Sequence, residues 1–171
     1  AEQLLAEVEA VEPHNDEVFI QRATILSKNK NHKEAISVLK SSLEFVKDPE
    51  DIWSMIGMEY LYLDDFENAR LNFAKCIEVD YEDYSSLYNI VYCFDMQQNN
   101  EDAIKFLNAY LDKNPYSEVA WHQVGRQYFE IGMYEEALQS FDFAVIIDDS
   151  FIGGYLEKAK TLEKLKRYQE A

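Results

Sequence analysis

The chain has 171 residues, 47% of them hydrophobic and 14% aromatic, with only 5 Gly and 3 Pro, and 33 acids against 16 Lys plus Arg give it a formal net charge of −17. Such an apolar composition excludes a disordered chain, and so few turn formers exclude an all-β protein of many hairpins. The negative field disfavours nucleic acid and anionic membrane surfaces, whose phosphates are held by Lys and Arg; an all-α fold with a solvated acidic surface is expected.

Alanine recurs every 34 residues, at Ala1, Ala35, Ala69, Ala103, Ala137 and Ala171, so the elements are read as repeats of that period. Residues 1–15 form the second half of a repeat and contain Pro13. The first full repeat, 16–49, carries Phe19 and Ala23 on one helix and KEAISVL around Ala35 on the next. In the second, 50–83, Trp53, Ile56, Gly57 and Tyr60 are followed, after Asp64–Asp65, by Ala69, Phe73, Cys76 and Ile77. Offsets of three and four place each set on one face of a helix, with the polar break forming a tight turn between antiparallel helices.

The third repeat, 84–117, puts Leu87 in the aromatic slot and turns at QQNN, residues 97–100. Val91 and Tyr110 stand there at positions held elsewhere by small residues, so its packing is expected to differ locally. The fourth, 118–151, has Trp121, Val124, Gly125 and Tyr128, a turn at Gly132–Met133, then Ala137, Phe141 and Ala144. Residues 152–171 open a further repeat with Tyr155 and Ala159. Their five basic residues, Lys158, Lys160, Lys164, Lys166 and Arg167, against three acids suit a C-terminal cap; the equal phase of both chain ends favours a segment of a longer array instead. Pro49 and Pro115 fall at or near the ends of second helices, where proline stops a helix cheaply.

The run Trp53, Ile56, Gly57, Tyr60, Ala69, Phe73 resembles the tetratricopeptide repeat pattern W-x2-L-G-x2-Y, A-x3-F, and 118–151 matches it in the same register. The resemblance covers the whole chain. It implies an α-solenoid: a right-handed superhelix of antiparallel helix pairs, each burying its apolar face on the next. At least ten helices or helix halves are expected. Small residues at Gly57, Ala69 and Gly125 would let helix backbones approach, and Trp53 and Trp121 would be buried in the wedge between helices.

No chemistry suited to an enzyme is legible. His14 and His32 are read as lying in inter-helix loops and His122 on a first helix beside Arg126, each a lone surface residue. No two histidines have a zinc-binding spacing, and no cofactor motif is present. Asp64–Asp65, Glu135–Glu136 and Asp148–Asp149 read as helix-dipole partners and turn formers. Cys76 and Cys93, without a CxxC, should be reduced, with Cys76 a buried packing residue. The acidic opening AEQLLAEVEAVEP is no signal peptide and no stretch of about 18 apolar residues occurs. A cytoplasmic location and no membrane insertion are expected.

The resemblance implies a non-catalytic scaffold that binds a peptide or protein segment on a concave face lined by first helices. Carried over by register, the contacting residues are Met58, Tyr62, Tyr88, Asn89, Tyr92, Met96, His122, Arg126 and Lys160. Tyr88, Tyr92 and Met96 recur at i, i+4, i+8 and share one helix face. The family's carboxylate clamp for chaperone tails is disfavoured: with Asn89 as its middle asparagine, the other slots hold Ser54, Met58, Val119 and Gln123. The alternative is a structural spacer or oligomerisation arm that works through array ends and the convex face.

Overall fold

A computed structural model describes residues 16–167, and every regular element among them is an α-helix. In chain order these are α1 (Asp16–Lys28), α2 (His32–Ser42), α3 (Glu50–Tyr62), α4 (Phe66–Val79) and α5 (Tyr84–Met96). They are followed by α6 (Asn100–Lys113), α7 (Glu118–Glu130), α8 (Tyr134–Ile147) and α9 (Ile152–Lys164). The fold is all-α and of the solenoid type. The half-repeat read at 1–15, and Ala171, lie outside the described residues.

The 34-residue period is written into the backbone as well as the side chains. Lys30, Asp64, Gln98, Gly132 and Lys166, each 34 residues after the last, all have left-handed φ, between 53° and 79°. Each closes a first helix in a Schellman turn. The next residue's N–H reaches back to a helical carbonyl, as in Asp65 N→Tyr60 O at 3.0 Å and Asn99 N→Phe94 O at 3.0 Å. The polar breaks therefore fulfil the turn expectation, although only Gly132 is the residue type that takes this φ without strain.

The residue after each of the first four turns caps the second helix. Asp65 accepts from the Asn68 amide and Asn99 from the Asp102 amide, whereas Asn31 and Met133 in the same register cap α2 and α8 without a side-chain bond. The acidic pairs behave as read. Glu135 and Glu136 occupy the first turn of α8, and Asp148 accepts from the amide and hydroxyl of Ser150 just past its end. Pro49 departs from its expected role: α2 stops at Ser42, and Pro49 stands at the N-cap of α3, where its missing N–H costs little.

Two compact units divide the chain, residues 1–93 and 94–171. In the first, α1 packs on α2, α2 on α3 and α3 on α4. Ala23, Ala35, Ile36, Leu39, Ile52 and Ile56 form a core there, each at most 7% exposed. In the second, α7 packs on α6 and α8, and α9 on α8 and α7, around Leu107, Val124, Phe141 and Ala144.

The largest fully buried side chains in the two units are Phe73 and Phe141. Each lies on a glycine of the partner helix. A Cβ added at Gly57 would come within 2.7 Å of the Phe73 ring, and one at Gly125 within 2.6 Å of the Phe141 ring. The expectation that Trp53 and Trp121 are buried is corrected: both indoles are half-buried. Lys75 lies 5.6 Å over the Trp53 ring, and Trp121 Nε1 donates to the Pro115 carbonyl at 2.9 Å. An indole N–H needs a polar partner, so tryptophan settles at the rim and phenylalanine takes the centre.

The sequence shows the same size compensation across repeats: Gly with Phe at 57/73 and 125/141, Ala with Leu at 23/39, Val with Leu at 91/107. Val91 in the first unit, and Leu107 and Tyr110 in the second, are each buried. Gly57→Val should therefore cost about 1–3 kcal/mol by overpacking, and adding Phe73→Leu should recover part of that loss. Urea titration of both single variants and the double variant measures the coupling. Separately, Met133→Asp should supply a cap of the kind Asp65 makes and raise stability by about 0.5–2 kcal/mol, read from the same titration.

Candidate functional site

Helix register decides which first-helix side chains are left outside the core. In the first unit, α3 buries Ile52, Ile56 and Gly57, and the opposite stripe carries Met58, half-buried, and Tyr62, 59% exposed. In α5, Leu87, Ile90 and Val91 are buried, which turns Tyr88 and Tyr92 outward at 43% and 49% exposed, with Asn89 half-buried beside them. In the second unit Met96 is 50% exposed, and Arg126 and Lys160 are exposed too. Sequence register thus placed the tyrosines, Met96 and both cations on accessible surface.

The two units differ in chemistry. The first presents tyrosine rings and Met58, with large apolar area and hydroxyls for adaptable contacts. In the second, Arg126 donates from Nη1 to Gln123 Oε1 at 3.3 Å, and Lys160 pairs with Glu157 at 2.7 Å. Arg126 keeps most of its donors for an incoming acceptor, whereas Lys160 is partly neutralised.

His122 corrects the expectation of a surface histidine. Its ring lies 5.1 Å edge-on from Phe151 and 5.8 Å from Phe141, and neither ring nitrogen reaches solvent or has a hydrogen-bond partner. In this conformation it offers a ligand little. Burial holds the imidazole below its ordinary pKa, reinforced by the nearby Arg126 and Lys160 charges and opposed by Glu157.

His32 also departs from its reading as a loop residue. It opens α2, and its Nδ1 lies 2.8 Å from Oε2 of Glu59, a carboxylate buried on α3. The His32 ring in turn stacks on Tyr62 at 5.0 Å, so an exposed candidate residue rests on a buried polar clasp. Two periods later the same register holds a second clasp. Asn100 donates to Gln127 at 2.9 Å, and Gln127 donates to Asp95 at 2.8 Å. Lys40 to Tyr60 and Asn108 to Tyr128 repeat at the same offset.

None of these clasps was foreseen. The available signal was positional: Glu59, Cys93, Gln127 and Thr161 share one repeat position, and all four are buried.

Cys76 and Cys93 are free and buried. Burial pushes the Cys93 thiol up to about 11 and raises that of Cys76, so neither is a thiolate nucleophile at neutral pH. Among the described residues, no three His, Cys, Asp or Glu side chains gather as a metal site. No helix there is long and apolar enough to cross a membrane.

Comparison with known proteins agrees with this repeat. A family model described as tetratricopeptide repeat matches residues 54–118. Anaphase-promoting complex subunit 3 of Schizosaccharomyces pombe is 22% identical over 159 residues, 93% of this chain and 24% of that protein. The chain thus spans about a quarter of the curated relative's length. The crystal structure of MamA superposes with a TM-score of 0.63 at 18% identity, covering 90% of this chain and 84% of that one. YrrB, a repeat protein described as having an unusual peptide-binding site, gives a TM-score of 0.59 at 18% identity, over 97% and 85% of the two chains.

Removing one partner of the part-buried His32–Glu59 pair should be costly, because buried Glu59 then loses its hydrogen-bond partner. His32→Ala should destabilise by about 1–3 kcal/mol. The double variant His32→Asn, Glu59→Gln rebuilds the Asn100–Gln127 arrangement and should restore most of the stability in chemical denaturation.

Proposed function

The chain belongs to the tetratricopeptide repeat family, and on that premise we propose that it is a non-catalytic scaffold that holds a segment of another protein against its first helices. The observation that supports this reading is the exposure of aromatic, methionine and cationic side chains on the first helices of an otherwise acidic chain: Tyr62, Tyr88 and Tyr92 in the first unit and, separately, Met96 and Arg126 in the second. Aromatic and arginine side chains are those on which interface energy concentrates, and methionine adapts to partners of different shape. Arg126 is suited to hold a carboxylate or carbonyl of the partner by charge-assisted hydrogen bonds, with Lys160 contributing once released from Glu157. Met58 and Asn89 are half-buried on the same first helices of the first unit. The buried, protonated thiols fit a reducing compartment.

A second reading, a spacer or oligomerisation arm, draws on exposed apolar residues elsewhere: Tyr116 at 83%, Ile146 at 76% and Phe143 at 47%. The two are separated by a capture experiment with the full-length protein. Once a partner is isolated, Tyr88→Ala, Tyr92→Ala and Arg126→Ala should each weaken its binding by about 1–2 kcal/mol, with helicity by circular dichroism unchanged. Intact binding by the triple variant, together with self-association that Ile146→Lys abolishes, would favour the arm.

A further inference from the structure

His122 sits where three helices meet. Its own helix is α7; α8 contributes Phe141, and the start of α9 contributes Phe151 and the backbone of Gly153, where an added Cβ would stand 3.5 Å from Nε2. At the adjacent Gly154 the fit is closer still, because a Cβ there would come within 2.7 Å of Val145 on α8. The docking of α9 on α8 is thus tight at Gly154, next to the ordinary packing contact that Gly153 makes with the imidazole. Both ring nitrogens are sealed from solvent without a partner, an arrangement that costs stability even for the neutral ring.

We propose that His122 is an acid-operated latch: the neutral ring seals the junction of α7, α8 and α9, and its protonation releases α9 from the other two. A protonated imidazole has two N–H donors and a charge, and the Phe141 and Phe151 rings around it offer no oxygen or nitrogen acceptor. The charged groups acting on it are Arg126 on α7, and Glu157 and Lys160 on α9; α8 presents the Phe141 ring. The two cations repel the added charge, and the carboxylate that would welcome it is bonded to Lys160 at 2.7 Å. The charged ring must therefore swing out, and the α9 contacts built around it go with it.

The sign follows from linkage. The folded value lies below the ordinary 6.5 of the undocked state, so the undocked state binds the proton first. Docking of α9 is at full strength above pH 6.5 and weakens as pH falls from there to the folded value. This holds whatever segment the protein binds.

The test uses the full chain and needs no partner. The Hε1 resonance absent from the spectrum of His122→Met should titrate below 6.5 in the wild type. Amide protection factors across Ile152–Lys164 should be lower at pH 5.5 than at pH 7.5, with α9 opening rising about tenfold for every pH unit the proton remains unfavoured in the docked state. In His122→Met that dependence should disappear while α9 stays protected. Should the methionine variant not fold, His122→Gln provides a second uncharged comparison. Titration of His122 at or above 6.5, or an equal loss of α9 protection with and without the histidine, overturns the proposal.

Discussion

The contact between a glycine on a first helix and a phenylalanine on the second sets the spacing of every pair built on it. Because Gly57 and Gly125 have no side chain, the rings of Phe73 and Phe141 lie where a Cβ would otherwise stand, and the helices approach closely there. That separation fixes which neighbouring residues turn inward. Ile56 and Val124, beside the glycines, are completely buried, while Tyr62 and Arg126 on the far stripe face water. Dispersion at such a contact is the sum of many small terms, and a fraction of an ångström matters. The outward chemistry of these helices is thus a consequence of an inward fit.

The fold was legible because its constraints are periodic. Alanines at a constant spacing, glycine at one offset and an aromatic at another identify a helix pair without knowledge of its neighbours. The exposed tyrosines were legible for the same reason, since a residue opposite the core stripe has nowhere else to point. What register could not supply was how polar side chains are satisfied across helices. His32 and Glu59 are 27 residues apart, and no local rule links them. Likewise, His122 looks like a surface residue until Phe141 and Phe151 close over it. The tryptophans show a subtler failure: the slot was identified correctly, but the need of the indole N–H for a partner drew the ring of Trp121 to the rim.

Net charge and local chemistry act at different ranges here. The excess of acids governs long-range encounter, within a screening length of about 8 Å at physiological salt. The tyrosines and Arg126 act only on contact. Under the proposed function, a segment that reaches this surface would be selected mainly by shape and by its hydrogen-bonding groups, with electrostatics setting the rate of approach.

A chain whose repeats are nearly interchangeable faces a hazard that a non-repetitive chain does not: a helix can dock one period out of place and still bury its apolar stripe. The polar clasps discriminate against that error. If α2 were to meet α5 in place of α3, His32 would face Cys93 where Glu59 belongs, and the Glu59 carboxylate would be left to an apolar neighbour. Asn100 set one period too far would find Thr161, which cannot replace the amide of Gln127 between Asn100 and Asp95. Stranded polar groups of this kind are penalised far more heavily than the correct pairs are rewarded. Polar clasps at two joints of a monotonous array therefore penalise a helix that docks one period out of place.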